Sequence, residues 1–381
     1  MKFLKPFVYT LLAGIISLSS CKDDEASAPQ YKIELTTTGQ GSISLSPEQE
    51  TYAAGTEVTL TATPAQGYKF TGWSGDVTST DSPLKLTIDA DKNVAATFIE
   101  STVYLASNNI TVKAGPDAVI GQSYELNGNT YKVVDEAMLR DMVANDEDVT
   151  KVVTTKVADI SDLFKEKTTF NQDISSWDVS NVTNMSYTFY RAREFNQPIG
   201  SWDVSKVTTM SVMFFDAPKF NQPIGDWDVS SVSNMYSMLA HASSFNQPIG
   251  NWNVSNVGSM SYMFQGAAAF NQDISKWNLT NIGSVRVMFQ GAKAFNQDIS
   301  NWNMSNVTDM GYMFNGATSF NQNISKWNVS KVKGMNDMFR SATSFNQDLS
   351  QWNVDQVVAC QNFSDEATSW TEPKPNFTNC N

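Results

Sequence analysis

The sequence predicts an α/β solenoid of 25-residue strand–helix repeats, preceded by a small all-β domain. The line FNQDISSWDVSNV at 170–182 returns in close copies at Phe195, Phe220, Phe245, Phe270, Phe295, Phe320 and Phe345, always 25 residues apart. Within a copy, the alternation at Trp177–Val179 reads as a short strand. Val182, Met185, Phe189 and Ala192 then follow at i, i+3, i+7 and i+10, the stripe of an amphipathic helix. Before the repeats, residues 31–99 hold short alternating runs separated by Gly, Pro, Asn and Asp, the pattern of a small antiparallel β domain.

The chain begins with Lys2 and Lys5, an apolar run FVYTLLAGIISL and then LSSC ending at Cys21. The run is too short for a transmembrane anchor. Residues 1–21 resemble a bacterial lipoprotein signal, which implies cleavage before Cys21 and a lipid on its thiol. KDDE at Lys22–Glu25 resembles the acidic export tag of Bacteroidetes outer-membrane lipoproteins, and 22–30 reads as a linker. The expected location is therefore the outer membrane, lipid-anchored and facing the exterior. With Cys21 in the anchor, Cys360 and Cys380 remain; an even pair in an exported chain reads as a disulfide. Closing that loop contributes roughly 3 kcal/mol.

In the β domain, GTEVTLTATPAQGYKFTGWSGD (Gly55–Asp76) followed by DADKNVAATF is similar to the divergent InlB B-repeat of bacterial surface proteins. The resemblance implies a spacer more often than a binder. DADKN (Asp89–Asn93) lacks the Gly and distal Glu of a calcium loop and reads as a turn.

Residues 100–144 read as a bridge and N-terminal cap: strand-like VYLA, NITVKA, SYELNG and TYKVV, a hairpin signal at Asn127–Asn129, then DEAMLRDMVAN with acids in its first turn and apolar residues at helical spacing. The repeats proper occupy 145–369, starting with a degenerate unit at Val149–Phe164. The segment 370–381 serves as C-terminal cap.

One such unit cannot bury its own apolar face. Stacked units can, with Trp over Trp and Phe over Phe, each large side chain contributing roughly 1.5–3 kcal/mol. An insertion would break the register, hence the unbroken period. Ser180 and its equivalents stand where a helix N-cap belongs. The constant Asn171 and Gln172 columns suit amide ladders spaced about 4.8 Å. The Trp column reads as core rather than as a sugar platform.

The array resembles the BspA-like leucine-rich-repeat surface proteins, whose repeat is F-N-Q-x-I-x-x-W-x-V-S-x-V-x-x-M-x-x-M-F-x-x-A. The departures are Val285, Leu239 and Thr188. The resemblance implies adhesion or recognition of an extracellular protein or polysaccharide, with polysaccharide capture for nutrient uptake, or a structural surface role, as alternatives.

Chemistry is poorly provided for. The one histidine, His241, lies at a variable position, and neither a phosphate-cradling loop nor a His/Cys metal cluster is present in the sequence. The expectation is a non-enzyme with no catalytic residue, metal or cofactor. The formal charge of −13 without basic blocks excludes electrostatic capture of nucleic acid.

The residue between Trp and Val should project outward: Asp178, Asp203, Asp228, then Asn253, Asn278, Asn303, Asn328 and Asn353. This polar ladder is the first candidate ligand face, although a solvated surface would look the same. Tyr187, Tyr262 and Tyr312 on the helix side form the second.

Overall fold

The computed structural model describes residues 28–380. The expected leader, Cys21 and Lys22–Glu25 lie outside the described residues. The described residues divide into two compact units, one comprising 28–63 with Phe70–Phe98, the other Pro64–Lys69 with 99–380.

The first unit is all β. Its strands are β1 (Gln30–Tyr31), β2 (Ile33–Thr38), β3 (Gly41–Ser46), β4 (Tyr52–Ala53), β5 (Thr56–Pro64), β6 (Tyr68–Gly75), β7 (Leu84–Ile88) and β8 (Lys92–Glu100). They form small sheets ordered β2-β8-β6 and β3-β5-β7, with β1 paired to β4. Strand alternation turns Val58, Leu60, Val94, Ala96 and Phe98 inward, beside Trp73 and Tyr52. The expectation of a purely antiparallel domain fails at one pair, because β2 and β8 run parallel from Ile33–Lys92 to Thr38–Thr97. These strands lie far apart in sequence, near the two ends of the domain, so no hairpin dictates their direction, and the chain between them serves as the long crossover a parallel pair needs.

The second unit opens with β9 (Val103–Leu105), β10 (Val112–Ala114), β11 (Ser123–Leu126) and β12 (Asn129–Val133), then α1 (Glu136–Ala144) and β13 (Val152–Val153). Asn127 and Gly128 both take positive φ (51° and 75°), which the tight β11–β12 hairpin requires. Asp135 caps α1 by accepting the Met138 N–H at 2.9 Å. Leu139 and Val143 of α1 are buried in the same apolar cluster as the repeats.

The repeats overturn the α/β solenoid expectation. Among the described residues α1 is the one helix, and it precedes the array; apart from the two-residue β13 in the degenerate first unit, the repeats contain no strand beyond single-residue parallel bridges. The leucine-rich-repeat-like strand–helix unit is replaced by a 25-residue rung made of turns. The segment read as a helix carries two left-handed residues four apart, as at Tyr187 (φ 58°) and Arg191 (φ 56°), and at Tyr262 (65°) and Gly266 (65°). Such residues cannot continue a right-handed helix.

Their amides point along the stack instead. Met185, Tyr187, Phe189 and Arg191 donate to the carbonyls of Thr209, Ser211, Met213 and Phe215 in the next rung at 2.7–3.0 Å. The intervening Tyr190 and Ala192 donate locally, three residues back. The expected strand is likewise a turn, with Trp177 N–H bonded to the Ile174 carbonyl at 3.2 Å. Ser180 caps no helix, because no helix follows it.

What stacks is the side-chain register. Phe170, Phe195, Phe220, Phe245, Phe270, Phe295, Phe320 and Phe345 form one column with ring centroids 5.9–6.1 Å apart. Trp177 lies 6.4 Å from Trp202 and nearly parallel to it. Each Trp indole N–H donates to a carbonyl 28 residues earlier, from Trp177 to Val149 (2.9 Å) through Trp352 to Ile324 (3.3 Å). The amide ladder binds rungs directly: Asn196 N–H donates to Asn171 Oδ1 at 2.9 Å, and Gln197 Nε2 to the Asn171 carbonyl at 2.9 Å.

The ends of the stack are closed by side chains. The first rung exposes carbonyls that no earlier rung can bond, and Arg140 of α1 donates to Ser161 O (2.8 Å) and Asp159 O (3.3 Å). Thr188 in the second Met position sets its hydroxyl between the Met185 carbonyl (2.8 Å) and the Ile160 carbonyl of the first rung (3.1 Å). At the far end Asn346 Oδ1 accepts the N–H groups of Thr371 and Glu372, and Cys360 is disulfide-bonded to Cys380 with Cα atoms 5.9 Å apart.

Candidate functional site

The residue between Trp and Val has a structural duty that the sequence reading missed. Its Oδ1 accepts the N–H of the residue two positions on, an Asx turn. The pairs are Asp203–Ser205 (3.1 Å), Asp228–Ser230 (3.0 Å), Asn253–Ser255 (3.2 Å), Asn278–Thr280 (3.1 Å), Asn303–Ser305 (3.1 Å), Asn328–Ser330 (3.2 Å) and Asn353–Asp355 (3.1 Å). Asp and Asn both offer that oxygen, so the turn tolerates either. The other side-chain atom is left to the surface, a carboxylate oxygen at Asp203 and Asp228 and an amide nitrogen from Asn253 onward. Hydrogen bonds from the Ser230 side chain and backbone hold the Asp228 carboxyl below its ordinary range.

These seven positions are exposed and aligned on one face. The eighth is not. Asp178 is only 1% exposed, because the β10 side of the bridge covers the first full rung. It meets Thr155 Oγ1 at 2.7 Å, Ser180 Oγ at 2.6 Å and Lys113 Nζ at 3.3 Å. The Val112 N–H donates to the Ser176 carbonyl at 2.8 Å and seats the strand there. Asp178 therefore leaves the predicted exposed ladder and becomes an anchor for the cap.

Beside it lies a cavity of about 260 Å³ whose lining includes Asn108, Thr111, Lys113, Asp178, Ser201 and Asp203. Lys113 and Asp178 neutralise each other, while Asp203, Ser201 and Asn108 offer uncharged and anionic oxygens and an amide. Such a lining can orient a small polar group through hydrogen bonds; it offers no nucleophile–base pair. Among the described residues no group of three or more His, Cys, Asp or Glu is placed to hold a metal ion. His241 sits exposed at a left-handed position (φ 60°), its ring edge against Phe215 at 5.3 Å.

Tyr187, Tyr262 and Tyr312 lie on the opposite, turn-built face and are joined there by Tyr190, Phe215 and Tyr236, which the sequence reading passed over. Glycine at 266, 291 and 316, inside the segment read as a helix, was the available sign of left-handed turns. The Trp column is closed to ligands, with no member from Trp177 to Trp352 more than 5% exposed.

Comparison with protein families matches residues 31–102 to the divergent InlB B-repeat domain. The family described as "Mycoplasma protein of unknown function, DUF285" matches three times in tandem, over 134–247, 201–293 and 272–377, together more than half of the chain. The chain belongs to the DUF285 family. Its DUF285 region coincides with the stacked rungs and their α1 cap, and the InlB B-repeat match with the β1–β8 domain. No curated protein and no solved structure matches the chain.

Proposed function

We propose that this DUF285 chain is a non-catalytic recognition module of the bacterial cell surface, held to the outer membrane by lipid at Cys21. In this reading the InlB B-repeat domain is a spacer and the rungs bind an extracellular protein or polysaccharide. The likeness to BspA-like surface proteins, carried by the F-N-Q-x-I-x-x-W-x-V-S pattern, supports the same role.

One observation carries the reading. The strictly repeated Phe, Trp, Asn and Gln columns hold the stack, while the columns beside Trp and between Trp and Val vary along the array and, from the second full rung on, lie at the surface. The Phe, Trp, Asn and Gln columns are consumed by ring stacking and rung-to-rung hydrogen bonds. The outward columns change from rung to rung: Asp203, Asp228, Asn253 in one, and Ser201, Asp226, Asn251, Lys276 beside it. A surface varied over an invariant frame is how repeat proteins encode a partner.

The test is binding of the purified chain to an array of glycans and matrix proteins, beside the Asp203→Asn/Asp228→Asn variant. Asn keeps the Asx turn, as Asn253 shows, so only charge is removed. A bound ligand weakened several-fold in the variant places recognition on the Asx face. An array on which neither protein binds anything refutes the recognition role.

A further inference from the structure

Two of the columns that hold the stack begin incomplete. Each phenylalanine from Phe195 to Phe345 is fully buried and has a ring of its own column 5.9–6.1 Å before it. Phe170 has none. The position 25 residues earlier is Asn145, the C-cap of α1, and the Phe170 ring stays only half-buried. The amide ladder also lacks its first partner. From Asn196 to Asn346, every asparagine of the column donates its backbone N–H to the Asn Oδ1 of the preceding rung. The Asn171 N–H has no acceptor among the described residues.

The vacancy has a cause in the chain. Trp177 bonds the Val149 carbonyl 28 residues back, in register with the later tryptophans. Gln172 Nε2, however, reaches the Glu147 carbonyl 25 residues back, where the later glutamines reach back 26. The register slips by one residue between the end of α1 and the first rung. What occupies the head of the column is a cavity of about 520 Å³, walled by Val143, Val149 and Phe170 and bordered by Asn171.

Charge narrows the occupant. Asp146, Glu147 and Lys167 also line the cavity. Lys167 Nζ is held by Asp146 (2.7 Å) and by the Ala144 carbonyl (3.2 Å). Glu147 enters no ion pair among the described residues, so the lining carries one uncompensated negative charge and disfavours an anion. Three groups thus await a partner: the Phe170 ring, the Asn171 N–H and the Glu147 carboxylate. A ring offset-stacked on Phe170 continues the column. In the column itself, the ring and the oxygen that accepts the next N–H come from consecutive residues, as with Phe170 and Asn171. A peptide that begins with an aromatic residue brings a ring, an α-ammonium and carbonyl oxygens within two residues. We infer that this cavity binds the amino end of such a peptide, its ring filling the vacant place at the head of the Phe column. The site is separate from the Asx face and goes beyond the recognition role proposed above.

The experiment is a saturation-transfer NMR titration of the purified chain at about pH 6.5, where the α-ammonium stays protonated. The probes are phenylalanyl-asparagine amide, its leucyl analogue and its N-acetylated form. The variants are Phe170→Leu, Glu147→Gln and Thr169→Trp, the last to fill the cavity from an exposed lining position. Thermal melts confirm that each variant is folded, and Thr169→Trp decides should Phe170→Leu fail to fold. The phenylalanyl probe should bind with its ring protons saturated. The leucyl probe should bind roughly fivefold more weakly, and the acetylated one about threefold more weakly. Phe170→Leu should remove the preference for the phenylalanyl probe, Glu147→Gln the preference for the free amino end, and Thr169→Trp all binding.

Absence of saturation transfer to the phenylalanyl probe overturns the inference and leaves recognition on the Asx face standing. Binding that survives Thr169→Trp unchanged places the probe elsewhere and overturns it as well. Equal binding of the phenylalanyl and leucyl probes overturns the aromatic preference, and equal binding of the free and acetylated forms overturns the recognition of an amino end.

Discussion

Asp173, Asp273, Asp298 and Asp348 each accept the N–H of a serine two positions on, at 2.9 Å. In three other rungs the acceptor is replaced by Pro198, Pro223 or Pro248, and the serine by Gly200, Gly225 or Gly250. The two changes go together. Proline offers no side-chain acceptor, and the glycine backbone moves against the next rung, where a Cβ at Gly225 would come within 2.2 Å of the Pro248 carbonyl oxygen. This coupling could be read from the sequence as a covarying pair, but its cause needed the distance. The acid version also makes a pH prediction. Hydrogen bonds from the Ser275 side chain and backbone lower the Asp273 carboxyl, and those from Ser300 and Ser350 lower Asp298 and Asp348. A carboxyl depressed in the folded state contributes stability above its unfolded value and loses it as pH falls through the lower folded value. The melting temperature of the chain should therefore decline as pH drops below about 4. A variant with Asp273, Asp298 and Asp348 changed to Asn should decline less, because the amide keeps the acceptor, as Asn323 does for Ser325 at 3.0 Å, without titrating. An equal decline in both proteins would remove these turns from the explanation.

At the scale of the element, turns mimic a helix because of what they bury. Val182, Met185, Phe189 and Ala192 are all buried, as a helix stripe would require. Successive three-residue turns return side chains inward at spacings of three and four, and apolar periodicity cannot tell the two apart. The separating evidence lies in backbone conformation, which only the left-handed positions betray. The rung-to-rung bridges reveal where an element is weakest. Parallel bridges join Asp159, Asn184, Thr209, Asn234 and Ser259 in turn, and again Ser284, Asp309, Gly334 and Ala359. Between Ser259 and Ser284 this bridge is missing and Ser261 Oγ meets Ser284 Oγ at 3.0 Å instead, while Tyr262, Phe264 and Gly266 still donate to the carbonyls of Arg286, Met288 and Gln290. Here two glycines, Gly258 and Gly283, occupy the column where Thr208 and Ser233 hydroxyls each reach the preceding rung's carbonyl at 3.1 Å. A Cβ at Gly283 would meet nothing within 4 Å, and one at Gly258 only the Ser233 carbonyl at 3.8 Å. Gly258→Thr and Gly283→Thr should each stabilise by about 0.4–1 kcal/mol through reduced freedom of the unfolded chain. A higher urea midpoint with unchanged slope is the expected outcome; a lower midpoint would mean that this junction needs its glycines.

At the scale of the molecule, the unbroken period and the ladders it builds were legible, because stacking requires that each residue meet its counterpart 25 positions on. The path of the chain between those residues was not, since the fixed columns constrain where side chains sit and say nothing of how the backbone travels from one to the next. The same reasoning makes the array modular. Each rung bonds only to its two neighbours, so its stability is close to a sum over junctions. Removing residues 245–269 joins Ser244 to Phe270 and brings Trp227 into line with Trp277, Asn221 with Asn271, and Phe220 with Phe270. No column is shifted, the α1 cap and the Cys360–Cys380 closure keep their own neighbours, and only one junction's worth of burial is lost. That variant should fold and melt cooperatively a few degrees below the parent. Removing one residue fewer, 245–268, leaves every later rung displaced by one position, so that polar side chains face the Phe and Trp columns and the Asn–Gln ladder meets no partner. The cost is then a buried mismatch at one junction that the remaining rungs cannot absorb. Circular dichroism melts of the two deletions separate the cases: a single sharp transition for the first, and for the second a broad or split transition as the segments on either side of the fault unfold independently. Similar sharp melts for both would mean that the turns can re-register, and that the strict period reflects something other than stacking.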